Sequence, residues 1–316
     1  VGEDCTETDL YGKAKRREKV SLAGKTYDAV WLLAKYISLT LQDFENIQYL
    51  TFTTPETDVD MAKMLKGIGQ HIGVDKEIIN VQDYKESFCQ YMIFQPKELW
   101  QYESALFYCD EDRIKAYMLR RLRVDASHGM NSFVTVDEVA NAQRKELEAL
   151  YPIMNKEKSP DESFKSMIEN VFEKKVISSV YLTGEGFEKN WYPNSLRVLC
   201  NGRRAFMGNN LYSKGACYKS IRKCEPNDDG PIYLDETKLT ERICLRMRVD
   251  GQEGWYPLVT WGTHWYEADG QWEVLLEDAS DIEILVESLV DEEVQVEKVS
   301  LEGLPKRTDY SLRLQV

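Results

Sequence analysis

The sequence predicts an α/β body followed by an all-β unit, and three observations carry that prediction. Up to about residue 230, segments with a helical apolar period alternate with short β-branched segments. From about Pro231 the period changes to strict alternation of apolar and polar residues. The composition is 43% hydrophobic and 30% charged, with 18 tyrosines, 10 phenylalanines and 7 tryptophans along 316 residues. That is a folded chain too long for one ordinary core, and it excludes collagen, coiled coil and wholesale disorder. Residues 1–123 are read as a first α/β lobe, 124–230 as a second, and 231–316 as a small β-sandwich.

The first 26 residues are polar and carry the basic run Lys13 to Lys19, either a solvated helix or arm or an anionic docking patch. Asp28 then caps a helix in which Val30, Leu33, Ile37 and Leu41 share a face, ahead of a strand over Ile47 to Thr53. Asp58 to His71 reads as a helix with Met61, Met64, Leu65 and Ile68 on one side. Ile78 to Val81 reads as a strand and Asp83 to Phe94 as a helix. Ser104 to Cys109 and Ile114 to Leu119 pair around the acidic turn Asp110-Glu111-Asp112. Val124 to Lys158 is a polar connector with helix expected around Val136 to Leu150. Ser159-Pro160-Asp161-Glu162 is a capping box opening a helix with Phe164, Met167, Ile168, Val171 and Phe172 on one face. The run Val176 to Leu182 is a strand that breaks at Thr183-Gly184-Glu185-Gly186, with a helix expected over Glu188 to Leu199. In the last unit Ile243, Leu245, Met247 and Val249 face one way and Arg242, Arg246 and Arg248 the other. Asp250-Gly251 and Asp269-Gly270 are hairpin signals, and Ile282, Ile284, Val286, then Leu312, Leu314 and Val316, repeat the alternation.

The charge balance, 40 basic against 54 acidic side chains for a net −14, removes phosphate-backbone attraction as a whole-surface property, so nucleic acid is not an expected partner. No apolar run approaches the roughly 18–20 residues that cross a bilayer, so no membrane partner is expected either. Seven widely spaced cysteines without a CxxC pair fit a reducing cytoplasm. The chain opens on Val1 without a signal-like segment, and an upstream portion is expected to be absent.

The stretch Val180 to Tyr218 holds the chemistry. A strand ending in Thr-Gly-x-Gly lets the backbone approach a planar or anionic ligand closely, and the same letters also make an ordinary strand-to-helix turn. The whole of Thr183-Gly184-Glu185-Gly186, followed by Gly208-Asn209-Asn210-Leu211 and Lys214-Gly215-Ala216, resembles the adenosine-side motif of the actin, heat-shock-chaperone and sugar-kinase ATPase superfamily. Leu50-Thr51-Phe52-Thr53-Thr54-Pro55, the helix ending near Ile72-Gly73-Val74 and the helix opening at Lys85-Glu86-Ser87 are similar to that superfamily's strand, helix, strand and connecting helix. QPKELW, GRRAFMGNNLYSKGACY and the β tail resemble a family of uncharacterised bacterial actin-like proteins.

The resemblance implies an actin-like, ribonuclease H-like two-lobed body lacking its amino-terminal strands. It implies a nucleotide, ATP or ADP with magnesium, against Thr183, Gly184, Glu185, Gly186, Phe187, Lys214 and Gly215. Three departures shape the expected function. The first phosphate loop, Asp-x-Gly, is absent. The second is replaced by Cys109-Asp110-Glu111-Asp112-Arg113 without a glycine, where three acids would repel a polyphosphate, so hydrolysis is weak at most. Glu185 interrupts the glycines, either to accept from ribose hydroxyls or to point to solvent. The expected function is therefore a degenerate, nucleotide-binding actin-like module with a regulatory or assembly role and a protein partner. The alternative is a non-catalytic protein-binding scaffold that uses the β-sandwich as its surface.

Other constellations carry less. His71, His128 and His264 fall in three separate elements, so a histidine-based catalytic or metal site is not expected. Arg120, Arg121 and Arg123 end a strand. Arg203, Arg204, Lys214 and Lys219 flank the proposed pocket, either for phosphate or in structural ion pairs. Trp255, Trp261, Trp265 and Trp272 either fill the sandwich core or present indoles to sugars or peptides.

Overall fold

Asp28, Asp58 and Asp83 each sit in extended backbone one residue before a helix and accept an N–H from inside its first turn: Trp31 N at 3.0 Å, Met61 N at 2.8 Å and Glu86 N at 2.7 Å. Each satisfies a donor that the helix itself leaves orphaned. These caps fix three helix starts in the computed structural model, which describes residues 7, 9–110, 112–123, 132–143, 160–188, 191–225, 230–275, 281–290, 293–301 and 311–315.

In chain order the elements are α1 (Leu10–Lys15), β1 (Lys19–Leu22), β2 (Lys25–Asp28), α2 (Ala29–Leu41), β3 (Leu50–Thr54), α3 (Val59–His71), β4 (Ile79–Asp83) and α4 (Tyr84–Ile93). There follow β5 (Glu103–Cys109), β6 (Arg113–Arg123), β7 (Ser132–Gln143), α5 (Pro160–Phe172), β8 (Ile177–Thr183), α6 (Pro193–Leu199), β9 (Arg204–Met207) and α7 (Leu211–Cys224). The remainder is strand: β10 (Ile232–Tyr233), β11 (Glu241–Val249), β12 (Gln252–Val259), β13 (Gln271–Leu275), β14 (Asp281–Ser288), β15 (Val294–Ser300) and β16 (Ser311–Gln315). Among the described residues no helix is long and apolar enough to cross a membrane.

The chain divides into two compact units, one from Val1–Phe94 with Asn209–Asp228, the other from Gln95–Gly208 with Asp229–Val316. In the first, β1 and β2 form an antiparallel hairpin whose turn, Ala23-Gly24, has positive φ at both residues. Strands β3 and β4 run parallel with Phe52 opposite Val81. Helix α3 buries Met61, Leu65 and Ile68, and α4 buries Phe88, Cys89 and Met92. Residues 209–228, grouped with the second lobe on sequence, cluster here because α7 packs on α4.

The second unit holds a six-stranded sheet in the order β10-β7-β6-β5-β8-β9. Strands β5, β6 and β7 form an antiparallel meander, β8 adds parallel to β5, and β9 parallel to β8. Phe107, Met118, Phe164, Ile168, Leu182, Phe187 and Leu199 form the core on this sheet. The carboxyl-terminal region contributes a four-stranded antiparallel sheet, β12-β11-β14-β15, and the antiparallel pair β13-β16. A small cluster of Phe133, Leu234 and Leu289, with Ile232 and Trp261 against it, is buried separately.

Four sequence expectations change. Helix was expected around Val136 to Leu150, yet Val136 to Gln143 lie in β7. There Leu119 faces Val136, and the gain from burying Phe133, Val134 and Val136 outweighs helix propensity. Positions 144–150 lie outside the described residues, as does Ser159 of the capping box. The helix expected from Glu188 begins at Pro193, where proline's fixed φ suits the first turn. Asp269-Gly270 does not close a hairpin, because β13 pairs with β16, and the Trp272 ring stands where a Gly270 Cβ would be. The opening segment holds the helix offered for it, α1, and in addition the β1–β2 hairpin, which was not expected.

Candidate functional site

Parallel pairing of β5 with β8 sets Phe107 opposite Leu182 and Tyr108 opposite Thr183, so both strands end at one edge of the sheet. The turns that follow, Cys109-Asp110 and Thr183 to Phe187, are thereby brought together. Gly184 has φ of +102°, a conformation that L side chains rarely adopt. A Cβ on it would stand 2.1 Å from the Cys109 carbonyl oxygen, and one on Gly186 2.3 Å from Cys109 Sγ. Both glycines let this turn lie directly on the Cys109–Asp110 backbone.

The rest of the motif points inward except at one place. Thr183, Gly186 and Phe187 are buried, and Glu185 is exposed. Phe187 closes a single 3-10 turn by donating N–H to the Gly184 carbonyl at 3.1 Å. Its ring packs among Phe164, Trp191 and Tyr192 with centroids 5.3–6.2 Å away. Trp191 Nε1 donates to the Gly186 carbonyl at 2.8 Å, and the Tyr192 hydroxyl to that of Phe187 at 3.2 Å. Burial, with Cys109 nearby, pushes the Tyr192 phenol above its ordinary range.

At the hairpin between β5 and β6 the Asp110 carboxylate accepts N–H groups of Asp112 at 2.8 Å and Arg113 at 2.7 Å. It caps its own turn, the local role for which aspartate is favoured at such positions. Glu111 lies outside the described residues. Among the described residues no three histidine, cysteine, aspartate or glutamate side chains cluster as a metal site would need.

Lys214 and Gly215 belong to the other unit. A Cβ on Gly215 would stand 1.9 Å from the Ser87 carbonyl oxygen, so this glycine is what lets α7 approach α4. Around that crossing Tyr84 stacks on Tyr212 at 3.8 Å, Lys219 pairs with Glu86 at 2.5 Å, and Arg222 donates to Gln90 at 2.9 Å. Ser87, fully buried, takes bonds from Gln82 at 2.7 Å and Thr53 at 2.6 Å. Lys214 itself is exposed.

Three of the remaining basic candidates make structural contacts, and Arg204 is exposed. Arg203 lies over the Phe172 ring at 4.5 Å, where burial lowers its pKa from the ordinary value. Arg120 reaches Glu103 at 3.3 Å and Asp137 at 3.2 Å, and Arg121 lies over Trp100 at 5.3 Å. The tryptophans separate: Trp261 joins the small core, while Trp255 and Trp265 are exposed.

Two polar arrangements escape the sequence. Asp161, buried in the first turn of α5, accepts N–H groups of Asn194 at 2.7 Å and Ser195 at 2.8 Å and so caps α6 from a different helix. Thr237 donates to Asp235 at 2.7 Å, which leaves its oxygen to accept from His264 Nδ1 at 2.8 Å and His264 Nε2 to accept from Lys238 Nζ at 2.9 Å. The separation of 26 positions between Lys238 and His264 gives no local signal for that chain.

Residues 1–236 match the model for the C-terminal part of a family of unknown function, DUF5716. Residues 238–316 match a domain of unknown function, DUF8552. No curated protein matches the chain.

Proposed function

We propose that this chain, which belongs to the DUF5716 family, is a non-catalytic protein-binding scaffold on an actin-like body, with the carboxyl-terminal sheets as its interaction surface. One observation carries the reading. The motif glycines that would let a nucleotide approach the backbone are already occupied by protein, Gly184 by the Cys109 carbonyl and Gly215 by the Ser87 carbonyl. The sheet order supports the ribonuclease H-like part of the reading: three consecutive antiparallel strands, then two parallel additions beyond β5. The magnesium side of an ATPase fits poorly, because Asp110 is engaged by its own turn's N–H groups.

Nucleotide binding without hydrolysis is the second reading, favoured by the meeting of two turns at the carboxyl ends of adjacent parallel strands, where open α/β sheets place ligands. ATP or ADP would then meet the exposed Glu185 carboxylate. Thermal melting with millimolar ATP and magnesium, ADP or GTP separates the two. A ligand at 100 times its dissociation constant adds about 2.7 kcal/mol of stability. The scaffold predicts an unchanged melting temperature with all three; a shift that Gly184→Val abolishes would establish the second reading instead.

A further inference from the structure

Resting on the scaffold reading, we propose that the free edge of β15 binds an extended basic segment of a partner protein, which joins the four-stranded sheet as an added strand. The juxtaposition behind it is an open, apolar strand edge on the most acidic part of the chain.

Strand β15 ends the order β12-β11-β14-β15 among the described residues, and each of its seven residues is exposed. Val294, Val296 and Val299 are 43%, 52% and 42% exposed. Proteins ordinarily blunt such an edge with proline, glycine-bearing bulges, shortness or charged side chains, lysine above all. The opposite edge, β12, carries Gly254 and Pro257, and the outer strand of the six-stranded sheet, β9, is four residues long. Strand β15 has no proline, no glycine and no register shift against β14 along its seven residues. Its one lysine, Lys298, reaches back onto its own sheet and pairs with Glu283 at 2.7 Å.

The charges left along the edge are acidic. Glu293 and Glu297 lie four residues apart and so project from the same side of the strand, with Gln295 between them and Val299 beyond. Glu297 has no ion pair among the described residues. Residues 231–316 hold 19 acidic against 8 basic side chains, a net −11 of the chain's −14. The backbone edge supplies hydrogen bonds to any extended chain, and the side chains select it: β-branched residues against Val294 and Val296, lysine or arginine against Glu293 and Glu297. A second copy of this chain is the poorer occupant. Two-fold antiparallel pairing sets a residue opposite itself, which faces Glu297 with Glu297 or Lys298 with Lys298 when centred there, and it joins two acidic units.

The test uses the full chain and a fluorescein-labelled peptide of four Lys-Val repeats, with a same-charge control in which the two central valines are proline. Anisotropy titration is expected to show saturable binding of the alternating peptide, with the proline control, Glu297→Lys and Val296→Lys each weakening it about tenfold or more. Equal binding of the two peptides would mean charge attraction without strand addition and would overturn the proposal. So would affinity indifferent to both substitutions, or absence of binding together with concentration-dependent dimerisation in sedimentation that Val296→Lys abolishes. The scaffold reading fails separately, through a melting shift with nucleotide in the same samples.

Discussion

Gly184 and Gly202 both hold positive φ, at +102° and +72°, yet only the first has a backbone oxygen where its Cβ would stand. Gly202→Ala therefore adds only conformational strain, about 1 kcal/mol. Gly184→Ala adds the same strain and a collision with the Cys109 carbonyl, for an expected loss of about 2–4 kcal/mol. Gly215→Ala tests the second collision in a helix, where alanine's better propensity gains about 1 kcal/mol and the Ser87 contact costs about 1–3 kcal/mol. Urea unfolding of the three variants should rank Gly184→Ala as the most destabilised, and a Gly184→Ala no worse than Gly202→Ala would mean that the turn is free to move off Cys109. Thr-Gly-x-Gly was legible as a turn needing glycine. What stands opposite the glycine was not, because ligand and neighbouring strand impose the same demand.

Helix starts were the most legible elements, since an aspartate before a periodic apolar run states its own hydrogen bond, as at Asp28, Asp58 and Asp83. Helix α6 is different: its orphan N–H groups are met by Asp161, which lies 33 and 34 residues before Asn194 and Ser195. No local pattern records that bond. Burial raises the Asp161 pKa, but the two N–H groups and the Ser195 hydroxyl outweigh it and hold the carboxyl below its usual value of 3.8. A depressed carboxyl contributes stability above its unfolded pKa, and the contribution fades as pH falls through the folded value. Asp161→Asn should thus cost about 1–2 kcal/mol at neutral pH and lose less stability than the parent on acidification below about pH 4, measured by urea midpoints across that range. Parallel acid limbs in parent and variant would remove the charge from the account. Strand β7 was missed for the converse reason: Glu138, Ala140 and Ala142 favour a helix locally, and only the ladder to β6 shows that this segment is extended.

Charge is distributed unevenly over the whole molecule. Residues 1–230 carry 32 basic and 35 acidic side chains, so almost all of the excess lies in residues 231–316. The carboxyl-terminal sheets offset part of it with a cross-strand ladder: Arg246 sits between Glu253 at 2.9 Å and Glu283 at 2.6 Å, and Lys298 pairs with Glu283 at 2.7 Å. That hydrogen bonding lowers the Glu283 pKa and raises that of Lys298. Exposed pairs of this kind add little to stability, because water and salt screen them. The unpaired acids repel over longer range, and sodium chloride shortens that range from about 30 Å at 0.01 M to about 8 Å at 0.15 M. Screening acts on both, but the pairs in contact are weakened less than the distant repulsions, so the melting temperature of the full chain should rise across that interval. Chloride rather than sulfate keeps excluded-solute stabilisation out of the comparison. Glu297→Lys brings residues 231–316 from −11 to −9 and should flatten the rise; a melting temperature that falls with salt in both proteins would show that the ladder, not the repulsion, dominates these sheets.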